Sequence, residues 1–226
     1  MKQRNPAAVL WDLDGTLLDT EPYWMIAEAN LVHEFNGTWS ESDGLELVGS
    51  GLLSTAKKLQ SRGVLLEPDE IVRRLTESVL WQSQASIPWR PGALELLLQV
   101  RESGTPTALV TMSMRPMASF VANSSATTLF DVLVTGEDVQ NPKPFPDAYL
   151  LAANQLGVDP GECIALEDSI PGIISAKQAG TKVIGVPAHV DLSDFEDLLI
   201  WETLEGKSFR NLVEVASEAF ATRGPR

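Results

Sequence analysis

Residues 9–20, VLWDLDGTLLDT, contain an apolar run that ends in two carboxylates two positions apart. Alternate residues of a β-strand point the same way, so Asp12 and Asp14 are predicted to project together from one strand tip, where Gly15 permits a tight turn. An Asp-Gly turn after a strand is common in itself. Asp12 lies inside the apolar run, however, and two neighbouring carboxylates need a cation or a proton to coexist. The stretch therefore predicts a metal site, or a nucleophile beside an acid.

The rest of the chain beyond residue 90 alternates strand-like and helical segments. With a first strand at 7–13, the strands are predicted at 107–111, 132–134, 163–166, 182–186 and, as an edge strand, 198–200. The helices are predicted at 93–101, 116–123, 146–156, 171–179 and 209–220. This alternation is typical of a parallel sheet covered on both faces. We therefore expect an α/β core with a doubly wound, Rossmann-like parallel sheet.

The segment 21–90 has a different pattern, with no convincing strand. Its helical stretches are predicted from Pro22 to about 35 and at 40–47, 54–60 and 68–80. Their Trp and Leu residues indicate a small helical bundle with its own core. We therefore expect two domains, an α/β core formed by 1–20 and 91–226 and a helical domain at 21–90 inserted after the first strand.

Composition excludes several classes of partner. The formal net charge is −14, which argues against nucleic acid and anionic membranes, since both attract basic surfaces. The one cysteine, Cys163, cannot form an intrachain disulfide and fits a reducing compartment. Asp12 and Asp14 interrupt any signal-peptide core, and no stretch approaches the roughly 20 apolar residues of a membrane span. We expect a soluble cytoplasmic protein, and the high charge favours a monomer.

Polar residues that suit phosphate chemistry follow several predicted strands. In folds of this class, ligands bind at the carboxyl ends of the strands. Those ends are predicted to carry four carboxylates, one lysine between two prolines and two hydroxyl residues: Asp12, Asp14, Glu167, Asp168, Lys143, Thr111 and Ser113. The carboxylates favour a hard cation such as Mg²⁺, the lysine offers a charge to a phosphate, and the hydroxyl groups suit phosphoryl oxygens.

Four short motifs, in order, resemble those of the haloacid dehalogenase superfamily. They are WDLDGT at 11–16, Val110-Thr111, NPKP at 141–144 and LEDS at 166–169. The insert at 21–90 resembles the α-helical cap of the branch that contains phosphatases and β-phosphoglucomutase. This resemblance implies that Asp12 is a nucleophile that forms an aspartyl-phosphate. It further implies that Asp14 is first the general acid and then the base.

The resemblance also implies the remaining roles at the site. Thr111 and Lys143 would hold the transferring phosphoryl group. Mg²⁺ would be bound by Asp12, the backbone carbonyl of Asp14 and Asp168, with Glu167 acting directly or through water. The implied function is a Mg²⁺-dependent phosphatase that hydrolyses the phosphate monoester of a small metabolite. Thr16, Ser113, Arg115 and Trp24 are candidates for substrate contacts.

Two alternatives stay open from the sequence. A sugar-phosphate mutase of this branch usually carries a histidine in the first cap helix and basic residues in a cap loop, whereas this chain has Tyr23-Trp24 and an uncharged loop at 47–53. Trp24 could line the site or belong to the core of the cap. A non-catalytic metal- or phosphate-binding protein could share the fold, because fold does not fix function. The intact set of motif residues favours the phosphatase, and the second aspartate, Asp14, disfavours a dehalogenase.

Overall fold

The computed structural model describes residues 4–48 and 51–221. The chain divides into two compact units, Met1–Leu18 with Trp89–Arg226, and Asp19–Pro88. The boundaries expected at 20/21 and 90/91 lie two residues further along the chain. None of the described helices is long and apolar enough to cross a membrane.

The first unit is built on a six-stranded sheet in which every pairing is parallel, in the order β3-β2-β1-β4-β5-β6. The strands are β1 (Ala8–Trp11), β2 (Thr107–Val110), β3 (Val132–Val134), β4 (Cys163–Glu167), β5 (Lys182–Gly185) and β6 (Leu199–Ile200). All residues of β1 are fully buried because β1 lies between two strands and beneath helices. The predicted doubly wound α/β fold is confirmed.

Five helices of this unit connect or follow the strands. They are α5 (Ala93–Glu102), α6 (Arg115–Ala122), α7 (Asp147–Leu156), α8 (Ile170–Gln178) and α9 (Phe209–Ala221). Single turns of 3₁₀-helix cover Gly136–Asp138 and Pro160–Glu162. Because all six strands run in the same direction, their carboxyl ends all lie at one edge of the sheet. The central position of β1 therefore places Asp12 between the ends of β2 and β4.

The second unit is helical, and its described residues contain no strand. Its helices are α1 (Glu21–Glu34), α2 (Glu41–Leu45), α3 (Leu52–Ser61) and α4 (Pro68–Ala85). Helix α4 runs antiparallel to α1, since Arg74 forms an ion pair with Glu34 at 2.6 Å while Gln82 Nε2 donates to Tyr23 O at 3.2 Å. Helix α4 extends five residues beyond the predicted end at 80. The last turn of α4 is polar and therefore has no apolar pattern that predicts a helix. Its contact with α1 is the hydrogen bond from Gln82.

Glu28 of α1 is a buried acid within this helical unit. Glu28 is only 4% exposed, and its Oε2 atom has no hydrogen-bond partner among the described residues. Burial, with repulsion from Glu21, raises the pKa of Glu28 from an ordinary 4.5 to about 8. The carboxyl group is therefore mostly protonated in the folded protein at neutral pH.

Because its pKa is raised, Glu28 is expected to lower the free energy of unfolding as the pH rises. Between 4.5 and about 8 the unfolded chain loses the proton that the folded chain keeps. The free energy of unfolding should then fall by up to about 1.4 kcal/mol per pH unit in that window. The contribution is complete below pH 4.5 and lost as pH rises through about 8. Glu28→Gln should remove this slope.

Urea unfolding of both proteins at pH 5, 6, 7 and 8 measures the effect as a difference between two curves. Glu77→Gln is the matched control, since Glu77 is an exposed acid on α4 paired with Arg73. The Glu28→Gln curve should diverge progressively from wild type, whereas the Glu77→Gln curve should follow wild type. Parallel curves for Glu28→Gln would show that the carboxylate is ionised at neutral pH.

Candidate active site

Three charged side chains meet at the end of β1. The strand ends at Trp11, one residue before Asp12, whose backbone N–H donates to Leu166 O at 3.1 Å. Lys143 Nζ donates to Asp12 Oδ1 at 2.7 Å and to Glu167 Oε1 at 2.6 Å. A third bond, to Val110 O at 2.9 Å, uses the last donor of the ammonium group. All three charged groups are buried, so one cation is shared by two carboxylates.

The electrostatics of this group favour an additional cation. Burial, together with repulsion from Glu167, raises the pKa of Asp12 to about 7, although Lys143 opposes this. Burial and repulsion from Asp12 likewise hold the pKa of Asp168 well above its usual range. Burial would lower the pKa of Lys143, but the charges of Asp12 and Glu167 outweigh it and raise that pKa. The lysine is therefore a fixed positive charge among incompletely neutralised acids.

The acidic residues fit a divalent metal ion. Asp12, Glu167 and Asp168 are buried, and each offers a carboxylate oxygen within 4.8 Å of the others. Oxygen donors of this type are those that Mg²⁺ prefers. Gly15 has φ +87°, and a Cβ there would lie 2.0 Å from Asp168 Oδ2. The glycine thus lets the turn after β1 approach the acidic cluster closely.

Asp14 lies beside the hydroxyl residues that follow β2. Ser113 Oγ donates to Asp14 Oδ2 at 2.6 Å, and Thr111 Oγ1 lies 3.4 Å from the same oxygen. Thr111 Oγ1 also accepts from the Ser113 backbone N–H at 2.9 Å. The predicted catalytic residues are thus close in space, with the hydroxyl groups of this loop directed at Asp14.

Three residues predicted to contact substrate have other contacts in the structure. The fully buried Thr16 donates its hydroxyl to Asp168 Oδ1 at 3.2 Å. The Arg115 guanidinium is paired with the Asp138 carboxylate. Trp24 lies on the buried face of α1 in the helical unit. Thr16 therefore orients an acid of the cluster, Arg115 is held by a carboxylate, and the roles of all three towards substrate stay predictions.

Sequence reasoning missed two residues that support the site. Tyr149 of α7 is fully buried, donates its hydroxyl to Glu167 Oε1 at 2.7 Å, and places its ring 5.1 Å from Lys143 Nζ. Arg90 donates to the carbonyl oxygens of Gly15, Val186 and Pro187. The signal available for Tyr149 was its place on the helix that follows Lys143. No local signal marks Arg90, because its partners are backbone groups distant in sequence.

Comparison with known proteins identifies the family. The model of the haloacid dehalogenase-like hydrolases matches residues 9–186. The chain belongs to this family, as the motifs predicted, and the predicted enzyme class, a phosphoric monoester hydrolase, is confirmed at the level of the family.

Named relatives and solved structures agree with this assignment. Hexitol phosphatase A of Escherichia coli is 31% identical over 204 residues, which are 87% of this chain and 90% of the relative. The bifunctional riboflavin kinase/FMN phosphatase of Arabidopsis thaliana is 31% identical over 80% of this chain, which spans about half (48%) of that longer protein. The structure of CbbY from Rhodobacter sphaeroides with xylulose-1,5-bisphosphate is similar with a TM-score of 0.80 and 26% identity, over 89% of this chain and 96% of CbbY.

Proposed function

We propose that this protein is a Mg²⁺-dependent phosphatase that hydrolyses the phosphate monoester of a small metabolite through an aspartyl-phosphate. The observation that carries the proposal is the buried Asp12 carboxylate, held at 2.7 Å by Lys143 at the carboxyl end of the central strand. Asp14 follows two residues later and is positioned by Ser113. A nucleophile, a phosphate-neutralising cation and a proton donor thus occupy one edge of the sheet.

In the first step, an Asp12 carboxylate oxygen attacks the phosphorus atom and the ester P–O bond breaks. Asp14 gives its proton to the leaving oxygen, so the carrier departs as an alcohol. Lys143 donates a hydrogen bond to the Asp12 carboxylate, where its positive charge would stabilise the negative charge of the transferring phosphoryl group. Because the transition state is loose, most of the acceleration comes from positioning and charge neutralisation.

In the second step, water attacks the phosphorus of the aspartyl-phosphate. Asp14, now ionised, takes a proton from that water, and the bond between phosphorus and the Asp12 oxygen breaks to release inorganic phosphate. Thr111 and Ser113 hold Asp14 in place for both proton transfers. Asp12, Asp168 and the Asp14 backbone carbonyl, with Glu167 directly or through water, would hold Mg²⁺. When bound, the ion would neutralise charge on the phosphoryl oxygens.

The helical unit is proposed to act as the cap that excludes water from the aspartyl-phosphate. Hexitol phosphatase A, by its name, acts on a phosphorylated polyol, and we propose a small hydroxylated metabolite as the carrier here. The single cysteine is a buried free thiol, which suits a reducing compartment, and we propose that the protein acts in the cytoplasm as a monomer.

A phosphate-release assay tests the proposed function. The panel contains hexitol phosphates, sugar monophosphates and p-nitrophenyl phosphate, each with Mg²⁺ and with EDTA. We expect release with Mg²⁺ only, and restoration when Mg²⁺ is returned to the EDTA-treated enzyme. Release that continues in EDTA would exclude the metal-dependent scheme. Interconversion of glucose 1-phosphate and glucose 6-phosphate without release would identify the mutase, and silence in every assay would favour a binding protein.

A further inference from the structure

Three cations described at the carboxyl edge of the sheet, Lys143, Arg115 and Arg90, already have partners within the protein. Lys143 is shared by Asp12 and Glu167, and Arg115 is paired with Asp138. The Arg90 guanidinium donates to three backbone carbonyl groups. Of these, Lys143 alone contacts the proposed nucleophile. Of the cations described at this edge, Lys143 is therefore the one placed to receive the transferring phosphoryl group.

The helical unit carries a net negative charge. Residues 19–88 contain eleven acidic and five basic residues, a net charge of −6 with histidine neutral. Four of the five basic residues form ion pairs with acids of the same unit, namely Lys58, Arg62, Arg73 and Arg74. The fifth, Lys57, is exposed on α3. Four of the five cations of the helical unit are therefore already neutralised by acids of the same unit.

We infer that this protein selects esters with one phosphoryl group on a carrier that bears no other negative charge, and that Asp138 keeps Arg115 from binding a second phosphate. The inference rests on the proposed phosphatase activity and specifies its substrate class. Specificity of this kind depends on repulsion as much as on attraction. A second phosphate dianion would be desolvated beside an acidic protein whose Arg115 and Lys143 are already paired with carboxylates. A neutral polyol or sugar carrier would meet no such cost.

Matched substrate pairs test this selectivity. Fructose 1-phosphate is compared with fructose 1,6-bisphosphate, and glucose 6-phosphate with glucose 1,6-bisphosphate, at saturating Mg²⁺. We expect kcat/KM to be about 100-fold lower for each bisphosphate, from uncompensated like charge. The ratio should narrow as salt is raised from 0.02 to 0.5 M, because ions screen exposed charges. A merely steric exclusion would leave the ratio independent of salt.

Two aspartate variants test the role of Arg115. Asp138→Asn frees Arg115 at the carboxyl edge. It should raise kcat/KM for the bisphosphates, so that the ratio of kcat/KM for each monophosphate to that for its bisphosphate falls several-fold. Asp131→Asn is the matched control, because it frees Arg101 beside the amino end of β2, where Asp131 also accepts from Thr107 N–H. This control should leave the ratio unchanged. Lys57→Gln should also leave it unchanged, since no role in anion binding is assigned to Lys57.

The outcomes separate the two proposals. Equal kcat/KM values for monophosphates and bisphosphates in the wild-type protein would overturn the selectivity while leaving the phosphatase intact. No release from any compound would overturn the proposed function itself. An unchanged preference for monophosphates in folded Asp138→Asn would overturn the assignment of Arg115 as the withheld cation. A stronger preference for monophosphates in Lys57→Gln would show that Lys57 receives the second phosphate and would overturn the inference that the protein offers it no cation.

Discussion

Asp12→Asn should lower kcat by about 10⁴-fold or more, because an amide is a poor nucleophile and no other residue substitutes for a lost nucleophile. The protein should stay folded, since asparagine has the shape of aspartate. Removal of a buried negative charge also relieves repulsion with Glu167 and Asp168, which lie in the same cluster. We therefore expect the metal-free variant to unfold at a temperature equal to or above that of wild type. Phosphate release and thermal unfolding in EDTA measure the two effects.

Asp69→Asn is the control for this prediction, because it makes the same change at an exposed position in the first turn of α4. Its kcat should equal that of wild type. Activity of Asp12→Asn within tenfold of wild type would exclude Asp12 as the nucleophile. A direct check is borohydride trapping during turnover, which should label Asp12 in the wild-type protein and no residue in the variant.

Lys143→Met should damage both activity and stability. The Lys143 ammonium group neutralises Asp12 and Glu167, and its removal leaves these two buried carboxylates without a positive partner. Breaking a buried ion pair from one side costs about 3–5 kcal/mol of the free energy of unfolding. The developing charge on the phosphoryl group also loses its cation, so kcat/KM should fall about 10³-fold or more. Urea unfolding and steady-state kinetics measure the two losses.

Asp12→Asn should leave the stability unchanged or raise it, whereas Lys143→Met should lower it, so unfolding measurements distinguish the two variants. Lys177→Met is the matched control, since Lys177 is an exposed lysine of α8 whose Nζ lies 5.1 Å from the Phe195 ring centroid. That control should change the free energy of unfolding by less than about 1 kcal/mol, as for other exposed contacts. Stability of Lys143→Met equal to wild type would show that Lys143 does not compensate the buried acids.

The main outline of the fold could be predicted because it depends on local pattern. Buried strands such as β1 are continuous apolar runs, and the helices have apolar residues at helical spacing, so both leave a signal in a short window. Boundaries were less predictable. The strand at β1 ends at Trp11 rather than at 13, since pairing with its two neighbours stops there, and α4 continues to Ala85 because Gln82 bonds to α1.

The family, the parallel α/β fold and the set of polar residues at the strand ends could be predicted because each follows from the order and spacing of residues along the chain. How those polar residues are paired follows only from the folded structure. It directs Thr16 to Asp168, pairs Arg115 with Asp138, and brings Tyr149 and Arg90 to the site. The physical reason is that hydrogen bonds and ion pairs depend on distances of about 3 Å between atoms far apart in sequence. No local pattern encodes such distances.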